Sequence, residues 1–142
     1  MTPAAGSAPT VSRMSRATQD RVGVLAVDDQ PVFLDAAQDV VAATPGFRWV
    51  GGAASGQEAI DAVRELEPEL VLLDVRMPGM DGIETAHRIC GTHPDIVVVL
   101  ISVDESPAAT PAIEASGAAV LVRKREFGPA MLRRLWQTYR KS

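Results

Sequence analysis

The segment LVLLDVRMPGMDG, residues 70–82, decides the fold class of this 142-residue chain. Four consecutive aliphatic residues end at Asp74, and a Pro-Gly pair follows within a few residues. An uninterrupted aliphatic run is typical of a parallel strand that helices cover on both faces. Asp81–Cys90 then carries apolar residues at helical spacing. The segment therefore predicts a buried strand, a turn and a helix, with Asp74 at the carboxyl end of the strand.

Strand and helix patterns alternate through the rest of the chain. Short apolar runs predict five strands, at Val22–Val27, Trp49–Ala54, Leu70–Leu73, Ile96–Ile101 and Ala118–Val122. Between and after these runs, amphipathic stretches predict five helices. The alternation predicts an α/β domain with a doubly wound, five-stranded parallel sheet.

Local signals indicate where the helices begin. Pro31 suits the first turn of the first helix, and Ser55–Glu58 forms a capping box for the second. The fourth helix is expected to be short, about Pro111 to Ser116, because prolines fall where it should begin. A last helix is predicted from an apolar stripe at i, i+4 spacing, expected to pack on the core: Phe127, Met131, Leu135 and Tyr139.

Composition places limits on the domain organisation and the compartment. Residues 1–20 are small, polar and proline-containing, so we expect a disordered leader before a domain at residues 21–142. The single cysteine, Cys90, fits a reducing compartment. No stretch reaches the roughly 18 consecutive apolar residues that span a bilayer, and no secretory signal is visible. We expect a cytoplasmic protein without membrane contact.

The end of the chain is basic. Residues 123–142 hold seven lysines and arginines against one acid, within a chain of net charge −4. A basic helix could contact nucleic acid or an acidic partner, but a single basic face is weak evidence, and a solvated helix face with cations near its carboxyl end is the better explanation. We therefore do not expect direct DNA binding.

Polar side chains follow four of the five predicted strands. Asp28 and Asp29 follow the first strand, Asp74 the third, Ser102 the fourth and Lys124 the fifth. In the doubly wound strand order 2-1-3-4-5, the first and third strands are neighbours, so the three carboxylates converge. They would raise each other's pKa unless a divalent cation such as Mg²⁺ were bound. An aspartate so placed can accept a phosphoryl group, with lysine and serine neutralising charge.

These residues resemble a bacterial response-regulator receiver domain, in the variant found in LuxR-type regulators. The resemblance rests on DD at 28–29, the segment 70–82, Ser102, Gly117-Ala118 and Lys124. It implies a flavodoxin-like receiver fold and phosphorylation of Asp74 by a sensor histidine kinase. It further implies that Asp28, Asp29, Asp74 and the backbone carbonyl of Arg76 hold Mg²⁺, and that Ser102 and Lys124 contact the phosphoryl group. Such a domain catalyses only its own phosphorylation and dephosphorylation.

Three departures affect how the signal would be transmitted. Leu121 stands where many receivers have an aromatic switch residue, Arg125 where many have proline, and the fourth helix contains prolines. The partner is expected to be an effector protein or a second copy, through the face formed by the fourth and fifth helices. Alternatives are a binding module that works without phosphorylation, the receiver fragment of a longer DNA-binding regulator, and an aspartate-nucleophile phosphatase. The adjacent Asp28-Asp29 pair argues against the phosphatase, which would need an Asp-x-Asp arrangement.

Overall fold

A computed structural model describes residues 21–103 and 111–141. Within these residues the strands form one parallel sheet in the order β2-β1-β3-β4-β5. The strands are β1 (Val22–Val27), β2 (Phe47–Ala53), β3 (Leu70–Asp74), β4 (Val97–Ser102) and β5 (Val120–Arg123). The helices are α1 (Pro31–Ala42), α2 (Gly56–Leu66), α3 (Gly82–Thr92), α4 (Pro111–Ala115) and α5 (Pro129–Tyr139), with a 3₁₀ turn at Lys124–Glu126.

The core has two layers, one on each face of the sheet. Because side chains alternate along a strand, each central strand contributes to both layers. Leu25, Leu73 and Leu100 pack with α2 and α3 on one face. On the other face, Leu72 and Val99 pack with α1 and α5. Burial on both faces explains why the central strands are almost purely aliphatic.

Helix termini follow the signals in the sequence. Pro31 lies in the first turn of α1. The Ser55 side chain accepts a hydrogen bond of 3.1 Å from the Glu58 amide, and Glu58 accepts one of 3.0 Å from the Ala54 amide. The α3 helix begins after Asp81, whose carboxylate accepts from the Glu84 amide at 2.9 Å. Both bonds to N-cap side chains satisfy backbone donors that have no partner within the helix.

The predicted α/β fold, strand order and helix alternation are confirmed, with shifts at element ends. The β2 strand begins at Phe47, two residues before the predicted run, because Phe47 and Arg48 pair with β1. The α5 helix begins at Pro129, so Phe127 precedes the helix and does not lie within it. The α4 helix is short, as predicted. The expected leader, residues 1–20, and Pro107, one of the prolines expected near the start of the fourth helix, lie outside the described residues.

No helix in the described ranges has the length and hydropathy needed to cross a membrane.

The residues after α5 contact the segment before β4. The Lys141 ammonium donates to the backbone carbonyl of Pro94 at 2.6 Å and to that of Ile96 at 3.2 Å. This contact holds the residues after α5 against the segment that enters β4.

Candidate functional site

Three carboxylates meet at the carboxyl edge of the sheet. Asp28 and Asp29 follow β1, and Asp74 ends β3, the neighbouring strand. One carboxylate oxygen from each lies within 4.8 Å of the others. Asp28 is fully buried, Asp74 is 8% exposed and Asp29 is exposed. The structure thus brings together the acids that the sequence placed at two strand ends.

Lys124 lies beside the two buried acids. Its Nζ is 2.5 Å from Asp28 Oδ2 and 3.9 Å from Asp74 Oδ2. The closer contact is an ion pair between the ammonium and the fully buried carboxylate. Asp28 Oδ1 accepts from the Gln30 amide at 2.9 Å. Lys124 therefore places a positive charge beside the carboxylates of Asp28 and Asp74.

The pKa of Asp74 reflects this environment. Burial, followed by the charge of Asp28, raises the pKa of Asp74 from 3.8 to about 6. Lys124 and the Arg76 amide, 3.5 Å from Asp74 Oδ1, lower it in part, and Asp29 adds a small increase. Repulsion between the acids was expected from the sequence, but the larger cause is removal of the carboxylate from water. Asp74 therefore remains mainly ionised at pH 7.

The loop after β3 fixes the position of Asp74. The Gly82 amide donates to the Val75 carbonyl at 2.9 Å, which holds the start of α3 against the end of β3. A Cβ on Gly82 would clash with the Asp74 carbonyl oxygen and lie 2.8 Å from Val75 Cα. Gly79, with φ of 77°, allows the turn in this loop. Gly82 therefore permits a backbone approach that any side chain would prevent, whereas Gly79 supplies the positive φ of the turn.

Ser102 and Arg76 lie at the same edge. Ser102 is 4% exposed and follows Ile101, the register partner of Asp74 on the neighbouring strand. Arg76 is exposed and offers its backbone to the acidic cluster, through the amide contact to Asp74. All six residues proposed from the sequence thus lie at the carboxyl edge of the sheet or in the loops that leave it.

Sequence reasoning missed an aromatic contact to the lysine. Lys124 Nζ lies 4.9 Å from the ring centroid of Phe33, in the first turn of α1. The Phe33 ring in turn packs on Phe127 at a centroid distance of 6.3 Å, inclined by 48°. The sequence contains only three phenylalanines. Two of them, Phe33 and Phe127, follow predicted strands, and this placement is the signal that could have indicated an aromatic contact at the strand ends.

The donor set fits Mg²⁺. Carboxylate oxygens are the protein ligands that Mg²⁺ prefers. The three clustered acids carry more negative charge than the Lys124 ammonium can balance. The exposed Asp29 leaves room for the water molecules that Mg²⁺ retains.

Comparison with known proteins identifies the family. A family model described as "Response regulator receiver domain" matches residues 24–135. The chain belongs to this family. As a receiver domain it is a phosphoacceptor module of two-component signalling, and receivers of this family bind Mg²⁺ in their acidic pocket.

Particular relatives support the assignment of this receiver. The response regulator GacA of Pseudomonas viridiflava is 37% identical over 103 residues, which cover 72% of this chain and 48% of that protein. The chain spans about half the length of such curated relatives. Among solved structures, the receiver domain of NarL from Mycobacterium tuberculosis is 29% identical, with a TM-score of 0.72 and coverage of 82% and 97% of the two chains. A LuxR-family regulator from Aurantimonas sp. SI85-9A1 is 25% identical, with a TM-score of 0.73 and coverage of 83% and 84%.

Proposed function

We propose that Asp74 is the residue of this receiver that accepts the phosphoryl group, and that a sensor histidine kinase supplies it. The observation that carries the proposal is the meeting of three carboxylates within 4.8 Å, with the Lys124 ammonium 3.9 Å from Asp74. Asp74 is 8% exposed, whereas Leu70–Leu73 are fully buried, so Asp74 is the residue of β3 that lies nearest to solvent.

The transfer requires no general base in the chain. An Asp74 carboxylate oxygen forms a bond to phosphorus while the bond from phosphorus to the imidazole nitrogen of the donor histidine breaks. The electron pair of the broken bond remains on that nitrogen. Since the pKa of Asp74 is about 6, the carboxylate is mainly ionised at pH 7 and no proton has to leave it. Positioning and charge neutralisation then supply most of the rate enhancement.

Each residue of the site has a proposed part. Asp29, Asp74 and the backbone carbonyl of Arg76 would bind Mg²⁺ directly, and Asp28 would bind it mainly through water. When bound, the ion would supply positive charge next to the phosphoryl oxygens. Lys124 would pair with the phosphoryl group on the other side, and the Ser102 hydroxyl would donate to it. We propose that the chain catalyses only its own phosphorylation and dephosphorylation.

The donor and output surfaces are also proposals. Val32, in the first turn of α1, and Val103, after β4, are 79% and 63% exposed. Both follow strands at the carboxyl edge, so they offer apolar contact area to a kinase that approaches Asp74. For output, a move of Ser102 towards the phosphoryl group would alter the face formed by α4 and α5, which would bind an effector or a second copy. Leu121, on β5, has no aromatic ring and packs partly buried against one core layer. We therefore expect no aromatic-rotamer switch at this position.

Intact-mass measurement after incubation with acetyl phosphate and Mg²⁺ tests the proposal. We expect one phosphoryl-sized gain in the wild type and none in Asp74→Asn. The matched control is Asp95→Asn, because Asp95 is exposed and lies before β4, away from the acidic cluster. A chelator should abolish the gain.

Two results would contradict the proposal. A gain that survives in Asp74→Asn would place the acceptor elsewhere. If neither acetyl phosphate nor a phosphorylated kinase modified a wild type that binds Mg²⁺, a contact-only binding module would become the better account of the chain.

A further inference from the structure

Lys124 makes a contact that its ion pairs do not explain. Its ammonium lies 4.9 Å from the centroid of the Phe33 ring, and the lysine side chain is only 15% exposed. A cation facing an aromatic ring is attracted by the ring quadrupole, and the attraction is greatest where water is excluded. Phe33 is therefore part of the immediate environment of the lysine at the acidic cluster.

The turn after β5 supports this contact. Lys124–Glu126 forms a 3₁₀ turn, closed by a 3.1 Å hydrogen bond from the Phe127 amide to the Lys124 carbonyl. The turn returns Phe127 to the side of α1, where its ring packs on Phe33 at 6.3 Å. Phe33 is thus held between the lysine and a second aromatic ring, and both rings belong to the core layer beneath α1 and α5.

The ammonium has unequal distances to the two buried acids. Asp28 is at 2.5 Å and Asp74 at 3.9 Å, and lysine has a flexible stem that allows many positions. A third attractive surface limits those positions. The Phe33 ring supplies it from a neutral side chain, so it restricts the ammonium without adding to the charge at the site.

We propose that Phe33, supported by Phe127, is a positioning residue that holds the Lys124 ammonium within reach of a phosphoryl group on Asp74. The inference rests on the proposed function, because it concerns the lysine that would neutralise the transferred group. Phe33 itself would touch neither the phosphoryl group nor the metal and would act only through Lys124.

The first test compares initial rates of phosphorylation by acetyl phosphate at saturating Mg²⁺. Phe33→Leu should lower the rate by about 5-fold, the range expected for loss of one cation–π contact. Phe33→Tyr keeps the ring face and should retain a rate close to wild type. Phe47→Leu is the matched control, because Phe47 is a buried phenylalanine at the start of β2, at the other edge of the sheet. It should lower stability without lowering the rate.

The second test asks whether Phe33 acts through the lysine. In a Lys124→Ala background, Phe33→Leu should cause no further loss of rate, since interacting residues are not additive. The wild type, Phe33→Leu, Lys124→Ala and the double variant are also unfolded by urea in a chelator. Their free energies of unfolding should show coupling between the two positions without metal or phosphodonor. If Phe33→Leu does not unfold cooperatively, Phe127→Leu removes the supporting ring and should change the rate in the same direction.

The outcomes separate this inference from the proposed function. A wild-type rate in Phe33→Leu, an equal effect of Phe33→Leu with and without Lys124, or zero coupling in urea would each overturn the positioning role. Failure to phosphorylate the wild type would instead reject the proposed function. In that case the metal-free coupling still decides whether Phe33 and Lys124 interact.

Discussion

Replacement of Asp74 by asparagine should make the metal-free protein more stable at neutral pH. The pKa of Asp74 is raised from 3.8 to about 6, first by burial and then by the charge of Asp28. The folded state therefore disfavours the ionised carboxylate. Asparagine has nearly the same shape and no charge, so it removes this penalty while the β3 strand that carries it keeps its packing.

The size and pH dependence follow from proton linkage. One pH unit corresponds to about 1.4 kcal/mol, so the change from 3.8 to about 6 corresponds to about 3 kcal/mol when Asp74 is fully ionised. Because the carboxylate lies beside solvent and the exposed Asp29, we discount this to about 1–2 kcal/mol. Between pH 3.8 and 6 the folded state binds more protons than the unfolded state, so wild-type stability falls as pH rises through that window. The advantage of the variant should be full above pH 6 and disappear towards pH 4.

Urea unfolding in a chelator, followed by circular dichroism between pH 4 and 8, measures this difference. Mg²⁺ should then stabilise the wild type more than the variant, because the ion binds the folded acidic cluster. Asp95→Asn serves as the control, and its exposed side chain should give no comparable pH-dependent gain. A variant that is less stable than wild type at pH 7.5, or a difference independent of pH, would refute the reasoning.

Three further substitutions test how the site is built. Gly82→Ala should destabilise the fold by about 3 kcal/mol, measured by urea unfolding, because the new Cβ clashes with the backbone of Asp74. It should also weaken Mg²⁺ binding measured by calorimetry. Wild-type values in both measurements would disprove the close approach. Ser55→Ala should cost about 1 kcal/mol through loss of the α2 cap, with Mg²⁺ affinity unchanged, and a loss of that affinity would contradict a local role. Lys124→Ala should lower the metal-free stability by about 1–3 kcal/mol, because Asp28 is left buried without its ion pair. Mg²⁺ should restore part of the lost stability. An unchanged urea midpoint would argue against the ion pair between Lys124 and Asp28.

The sequence predicted the parts of the fold that depend on local hydrophobicity. Aliphatic runs such as Leu70–Leu73 predict buried parallel strands directly, because both faces of each strand are covered. The β2 strand was less well defined. Its first residues include Arg48, and it contains Gly51 and Gly52, so hydrogen bonding to β1 and not hydrophobicity sets its start.

In the candidate site too, some features could be predicted from the strand pattern and others depend on how the elements pack. Asp28, Asp29 and Asp74 could be predicted to meet, because parallel strands end at a common edge and the strand order makes β1 and β3 neighbours. The contact of Phe33 with Lys124 joins residues 91 positions apart in sequence, on elements whose separation depends on packing. Depth of burial, the main cause of the raised pKa of Asp74, likewise depends on the assembled layers.

The acidic cluster has a consequence for how such a chain changes over evolutionary time. Folding alone favours replacement of Asp74 by a neutral residue, since its ionised carboxylate is the part of β3 that opposes the metal-free fold. Substitution by asparagine would therefore meet no stability barrier, although it would remove the proposed phosphoryl acceptor. Because the fold does not favour an ionised Asp74, selection on what the acidic cluster binds would have to maintain this residue.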